Sequence, residues 1–94
     1  MLKNGRQRRE VYFSGRVQGV GFRYTVQSLA GRFQVAGFVR NLPDGRVHLV
    51  AEGDADELDV FLSAIQSEMR PYIAESRETV QPATGGFDAF EVRF

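Results

Sequence analysis

The chain contains no cysteine among its 94 residues, and this absence excludes disulfide bonds, thiolate metal sites and a cysteine nucleophile. A single histidine, His48, leaves few nitrogen ligands for a transition metal, so no metal site is expected. No apolar run approaches the roughly 20 residues that a membrane-spanning helix needs. The first ten residues are basic, but no apolar segment follows them as it does in a secretion signal. We therefore expect a cytoplasmic protein that does not enter a membrane.

Positive and negative charges balance in this sequence, with 12 basic and 12 acidic residues. The chain therefore lacks the excess of positive charge that marks nucleic-acid-binding proteins, and no nucleic-acid partner is expected. Basic residues are nevertheless concentrated near the start, at Lys3, Arg6, Arg8 and Arg9. We predict that residues 1–9 form a flexible basic tail in solvent, with an arm that touches anionic partners as the alternative. Residues 10–94 then form one domain, which we expect to be monomeric.

Periodic apolar residues predict the element order β-α-β-β-α-β. Strands are expected at residues 10–14, 35–42, 46–52 and 87–94, with 73–82 as an additional exposed edge strand, and helices at 22–33 and from 54 to the turn before Pro71. Asp54 is expected to cap the second helix, with Glu57 at the spacing of a capping box. The order is typical of the ferredoxin-like α+β fold, in which two helices cover one face of an antiparallel sheet.

This topology brings two distant segments together. A β-α-β crossover makes the first and second strands parallel, with the third strand between them and antiparallel to both. The carboxyl ends of the first two strands then lie at the same edge of the sheet. One of these ends carries the glycine-rich loop at residues 15–21, and the other carries Val39, Arg40 and Asn41.

The glycine-rich loop has the composition of an anion-binding turn. Gly15, Gly19 and Gly21 allow successive backbone N–H groups to turn inward, and the loop leads directly into a helix N-terminus. Arg23 lies in the first helical turn, where the helix dipole disfavours a cation unless an anion lies between them. The alternative is a tight strand-to-helix connection with Arg23 in solvent. The loop lacks the lysine and spacing of a nucleotide P-loop and the third glycine of a dinucleotide fingerprint.

Residues 15–23 (GRVQGVGFR) and 37–45 (GFVRNLPDG) resemble the two signature motifs of the acylphosphatase family. The resemblance implies hydrolysis of acyl phosphates to a carboxylate and inorganic phosphate by an oriented water, without a metal or other cofactor. Inorganic phosphate would be both product and inhibitor. The chain departs from the family at Phe38, where tryptophan is usual, at Phe94, where tyrosine is common, and after the second helix, where a Gly-Pro pair is replaced.

The resemblance also implies roles for individual residues. Arg23 and Asn41 would be catalytic, with Asn41 holding the attacking water through its side-chain amide. The phosphoryl oxygens would be held by Arg23 and by the loop, whose expected phosphate-binding residues are Arg16, Val17, Gln18, Gly19 and Val20.

Two other functions are compatible with the predicted fold. A non-catalytic anion-binding or regulatory module would need the loop and Arg23 but not a water-holding amide at Asn41, because fold alone does not decide function. An RNA-binding sheet would need more exposed aromatic residues and a basic face. His48 is expected to be an ordinary exposed strand residue, and the acidic residues that follow Gly53 are expected to favour the helix dipole rather than to bind a metal.

Overall fold

The computed structural model describes residues 5–94. In this part of the chain five strands and two helices follow one another in the predicted order, with a short 3₁₀ turn before the fourth strand. The elements are β1 (Gln7–Gly15), α1 (Phe22–Ala30), β2 (Val35–Asn41), β3 (Val47–Gly53), α2 (Ala55–Glu68), the 3₁₀ turn (Arg70–Tyr72), β4 (Ile73–Pro82) and β5 (Phe90–Arg93). Neither helix is long and apolar enough to cross a membrane, as far as residues 5–94 are concerned.

The strands form one sheet in the order β4-β1-β3-β2-β5. As predicted, β3 lies between β1 and β2 and is antiparallel to both. The sheet is mixed, because β5 pairs in parallel with β2 whereas the other neighbouring strands are antiparallel. β4 is antiparallel to β1 and ends opposite Gln7, at the edge of the sheet where β1 begins. From the end of β4 the chain passes across this end of the sheet to the opposite outer position beside β2. β5 therefore starts near the start of β2 and runs in the same direction.

Both helices pack on one face of the sheet, as the apolar stripes predict. Buried residues of the sheet, such as Phe13 and Leu49, meet buried helical residues, such as Val26 and Phe61, in one continuous core. Helix α1 ends at Ala30 instead of Phe33, because the amide of Arg32 donates to the Leu29 carbonyl in a tighter turn. β4 is an exposed edge strand, as expected.

The start of α2 differs from the predicted capping box. Asp54 occupies the N-cap position, but its side chain makes no capping hydrogen bond. The Glu57 carboxylate instead accepts a hydrogen bond of 2.8 Å from the backbone N–H of Gln34. Glu57 therefore ties the segment before β2 to the beginning of α2, a contact between residues far apart in sequence.

The first strand begins at Gln7, three residues earlier than predicted, so Arg8 and Arg9 are not part of a solvated tail. The long strand β4 offers main-chain partners for this extension. Arg9 is only 7% exposed. Its guanidinium forms ion pairs of 2.9 Å with both Asp59 and Glu78, which compensate its burial. Lys3 and the rest of residues 1–4 lie outside the described residues.

His48 is buried, contrary to the expectation of an exposed strand residue, with 4% of its surface exposed. All seven residues of β3 are buried, because this central strand is covered on both faces. On the face away from the helices the His48 ring stacks on Tyr12 at 4.5 Å and meets the edge of Phe38 at 5.6 Å. Phe87, in the connection to β5, packs on Phe38 in turn.

Candidate active site

The glycine-rich loop between β1 and α1 is held in place by hydrogen bonds to two other connections. The amide of Arg16 donates to the Tyr72 carbonyl at 3.0 Å. The side-chain amide of Gln18 donates to the carbonyls of Leu42 and Arg46, at 2.8 and 3.0 Å, and so fastens the loop to the β2–β3 turn. At Gly15 a Cβ atom would lie 2.6 Å from the Tyr72 carbonyl oxygen, which explains the glycine there.

Helix α1 begins without any negative group at its positive end. Gly21 is the N-cap residue in a left-handed conformation that glycine adopts without strain, and no side chain caps the helix. The first turn contains no acidic residue. Thr25 donates to the Gly21 carbonyl at 3.0 Å, so the preceding N–H groups have no carbonyl of the helix to bind. Such a helix end favours an anion.

A cavity of about 110 Å³ lies at this helix end. Its walls are formed by Val17, Gly19, Gly21, Phe22, Arg23, Tyr24 and Asn41. The fold therefore brings the predicted pair, Arg23 and Asn41, to one cavity. With about 30 Å³ for each water in the liquid, this volume suits a phosphoryl group and a water.

The predicted phosphate-binding residues divide into two groups. Val17 and Gly19 line the cavity. Gln18 instead turns its side chain to the β2–β3 turn, and Val20 packs against the core. The amide of Arg16 donates to the Tyr72 carbonyl, whereas its side chain is exposed and stays a predicted phosphate-binding group.

Arg23 has partners that its sequence position did not predict. Its Nη1 donates to the main-chain carbonyl of Arg93 at 3.2 Å, and its guanidinium lies 4.7 Å from the centre of the Phe94 ring. These contacts come from the end of the chain, and no local pattern around Arg23 could have predicted them. Asn41 is the last residue of β2, and its side-chain amide makes no hydrogen bond within residues 5–94.

The structure also contains a larger groove, of about 590 Å³, between α2 and β4. Arg9 and Arg70 are its cations, and Arg9 is already neutralised by Asp59 and Glu78. The groove contains neither a glycine-rich loop nor a helix N-terminus, so its size does not make it the better candidate. No group of three histidine, cysteine or acidic side chains within residues 5–94 is arranged to hold a metal ion.

The sequence did not predict a cluster of Glu10, Arg40 and His48 on the opposite face of the sheet, in which His48 is buried. Arg40 Nε donates to His48 Nδ1 at 3.1 Å, so the neutral ring carries its proton on Nε2 and donates it to Glu10 at 2.7 Å. Burial lowers the pKa of His48 and the charge of Arg40 adds to this effect, although Glu10 opposes it. The hydrogen bond from His48 lowers the pKa of Glu10.

Comparison with known proteins identifies the family of this chain. The acylphosphatase family model matches residues 9–92. An acylphosphatase of Archaeoglobus fulgidus is 41% identical and aligns with 90% of this chain and 96% of its own length. One from Rubrobacter xylanophilus is 44% identical, covering 98% of this chain and 86% of its own. The crystal structure of acylphosphatase from Bacillus subtilis superposes with a TM-score of 0.85 at 32% identity, over 94% of this chain and 99% of that one. The resemblance of the two motifs is thereby confirmed, and the chain belongs to the acylphosphatase family.

Proposed function

We propose that this chain hydrolyses acyl phosphates at the cavity between the glycine-rich loop, α1 and the end of β2, with Arg23 and Asn41 as its catalytic residues. The observation that carries the proposal is that both residues line one cavity of phosphoryl size. The proposal includes a cytoplasmic location and a monomeric state, as expected from the sequence.

The phosphoryl group is bound by backbone and side-chain donors together. In the proposed complex the N–H groups of the loop and of the first turn of α1 donate to the phosphoryl oxygens, and the helix dipole adds to their attraction. Arg23 supplies a full positive charge and a planar fork that can hold two phosphoryl oxygens. The exposed guanidinium of Arg16 adds positive charge near the entrance of the loop.

In the chemical step the protein has to position the attacking water and stabilise the charge on the phosphoryl oxygens. A water attacks phosphorus, the bond between phosphorus and the acyl oxygen breaks, and the acyl group leaves as a carboxylate. A carboxylate is a stable anion, so its departure needs no general acid. The transition state of phosphoryl transfer is loose and spreads charge over the equatorial oxygens, which Arg23 and the N–H groups stabilise.

Asn41 orients the water. Its amide does not titrate in the physiological range, so it cannot act as a base, but it can accept a hydrogen bond from the water. Correct placement of a nucleophile lowers the barrier by avoiding the entropy cost of a bimolecular encounter. The proton of the water passes to a phosphoryl oxygen, which gives dihydrogen phosphate and the carboxylate as products. No step in this sequence requires a metal ion.

A non-catalytic anion-binding module remains the second candidate, because ferredoxin-like folds carry unrelated functions. The position of Asn41 favours catalysis, since a module that only binds an anion has no use for an amide beside it. Curated relatives over nearly the whole chain bear the name acylphosphatase, which supports the same choice.

The test is release of inorganic phosphate from acetyl phosphate and benzoyl phosphate by the purified protein. We expect turnover above the spontaneous rate and competitive inhibition by inorganic phosphate. The matched control is the doubly substituted protein carrying Arg23→Ala and Asn41→Ala, purified in the same way. Phosphate binding in a calorimeter without any turnover of either substrate would contradict catalysis and favour the binding module.

A further inference from the structure

The cavity that holds Arg23 and Asn41 is too small for a whole substrate. Its volume is about 110 Å³. A phosphoryl group and a water fill a space of this size, since a single water already takes about 30 Å³. If the proposed function is correct, the acyl group must therefore lie outside the cavity, at its rim.

Two exposed aromatic rings lie beside Arg23, one in the cavity wall and one against the Arg23 guanidinium. Tyr24 lines the cavity and is 57% exposed, while Phe94 is 91% exposed. Within residues 5–94 the other large apolar side chains with such exposure are Val60 and Val80. These two belong to α2 and β4 and lie outside the cavity wall. The exposed aromatic surface of the described chain is thus concentrated beside Arg23.

Phe94 is held beside the phosphoryl-binding cation. The guanidinium of Arg23 lies 4.7 Å from the centre of its ring, within the range of a cation–π contact. This contact covers a small part of the ring, because most of its surface faces solvent. When Arg23 binds the phosphate, a planar group attached to that phosphate comes within reach of the exposed surface of the Phe94 ring. Aromatic pairs attract each other in offset or edge-to-face arrangements, and the burial of apolar area adds to this attraction.

We propose that Phe94 and Tyr24 form a binding surface for the acyl group and give the enzyme a preference for planar aromatic acyl phosphates over small aliphatic ones. The inference rests on the proposed function. It assigns to the two rings a role that phosphate binding does not require. The part of the cavity that binds the phosphoryl group treats all acyl phosphates alike, and the two rings beside Arg23 distinguish between them.

The experiment compares kcat/KM for benzoyl phosphate with kcat/KM for acetyl phosphate. We expect Phe94→Ala and Tyr24→Ala each to lower the ratio of the two values about 2- to 12-fold, the range expected for loss of one aromatic pair. Phe94→Tyr keeps the ring and should keep the ratio. Val80→Ala, which removes exposed apolar surface far from the cavity wall, is the matched control. Tyr24 and Phe94 are both exposed, so their substitution should leave the fold intact, which circular dichroism can verify.

The competing role for Phe94 is support of Arg23 alone. In that case Phe94→Ala would lower kcat/KM equally for both substrates, raise the inhibition constant of inorganic phosphate and leave the ratio unchanged. An unchanged ratio in both alanine variants overturns the proposal. Wild-type protein that hydrolyses neither substrate would instead overturn the proposed function, and the acyl surface with it. If the wild-type protein is active but both alanine variants keep its ratio of kcat/KM values, only the acyl-binding surface is contradicted.

Discussion

Arg23 donates a hydrogen bond of 3.2 Å from its guanidinium to the main-chain carbonyl oxygen of Arg93, the last residue of β5. The contact joins the first turn of α1 to a strand that is added in parallel at the edge of the sheet. A guanidinium has five donors, so Arg23 can keep this bond while a fork of two others faces a phosphoryl group. The orientation of the proposed phosphate ligand therefore depends on β5 and on whatever holds β5 in place.

Arg23→Ala should weaken phosphate binding and turnover together. Loss of a charged hydrogen bond costs about 1.5–3 kcal/mol, or roughly 10- to 150-fold in the inhibition constant of inorganic phosphate. The loss in kcat should be larger, because charge shifts toward the equatorial oxygens during transfer. Arg23→Lys should restore little, since an ammonium group cannot form the two-pronged contact. Arg32→Ala, at an exposed arginine outside the cavity wall, is the control. Steady-state kinetics that do not separate Arg23→Ala from wild type would contradict the role of Arg23.

Asn41→Ala should separate binding from chemistry. Phosphate should inhibit the variant nearly as well as wild type, while kcat falls on the order of 100-fold because the water loses its orientation. Asn41→Asp has almost the same shape but adds a negative charge, so it should also raise the phosphate inhibition constant at pH 7. Both constants can be measured with benzoyl phosphate after circular dichroism has verified the fold. A near-normal kcat for Asn41→Ala would show that another group positions the water.

Chelation should not affect the activity. Residues 5–94 contain no cluster of ligands suited to a metal ion, and the departing carboxylate needs no Lewis acid. Turnover should be the same after dialysis against EDTA as before. Activity that disappears with EDTA and returns with Mg²⁺ would show that the proposed mechanism lacks an essential part.

Glu52→Gln should destabilise the protein by loosening the connection to β5. The Glu52 carboxylate is 2% exposed and accepts three hydrogen bonds of 2.9 Å, from the amide and hydroxyl of Thr84 and the amide of Gly85. Burial raises the pKa of Glu52, but these bonds outweigh it, and the net pKa is lowered. The NH₂ group of glutamine cannot accept such bonds, so we expect a loss of about 1–3 kcal/mol in the free energy of unfolding.

Urea denaturation at pH 7 measures this loss. Thr84→Val, which removes only the hydroxyl donor, should cost less than Glu52→Gln. Because the connection leads into β5 and β5 supplies the Arg93 carbonyl, Glu52→Gln should also raise the inhibition constant of phosphate. Equal stability of wild type and Glu52→Gln would show that the buried carboxylate does not hold this connection.

Stability should fall as the pH drops below about 6.5, the ordinary pKa of histidine. The pKa of His48 is lower in the folded protein, mainly because of burial, so the unfolded chain binds more protons in this range and unfolding is favoured. The contribution of His48 is complete above pH 6.5 and is lost as the pH falls toward the lowered pKa. Glu10, whose pKa is lowered from 4.5 by its bond to His48, should add a second loss below that value.

The measurement is the urea midpoint at pH 7.5 and at pH 5.5. In His48→Gln, which keeps hydrogen-bonding groups but does not titrate, the difference between the two midpoints should shrink. A difference as large as in wild type would assign the pH dependence to other groups.

Local patterns in the sequence predicted most of the elements and the main parts of the site. The stripe that includes Phe22, Val26 and Leu29 predicted α1, because side chains three and four residues apart share one helical face. Gly15, Gly19 and Gly21 predicted the loop, because glycine adopts the positive φ angles that such a turn needs, and all three have them. The crossover rule then predicted that Arg23 and Asn41 lie at the same edge of the sheet. The two motifs indicated the family, which the relatives confirm.

The tertiary structure decided which groups meet across the chain. It paired β5 in parallel with β2, extended β1 to Gln7 and buried His48 on the face that the helices leave open. It also gave Glu57 the amide of Gln34 as a partner and gave Arg23 the carbonyl of Arg93. Hydrogen bonds and ion pairs of this kind depend on distances between atoms far apart in sequence, which no local periodicity encodes. The sequence by itself thus determined the elements and the candidate site residues, whereas the packing of the sheet decided the environment in which Arg23 and Asn41 are proposed to act.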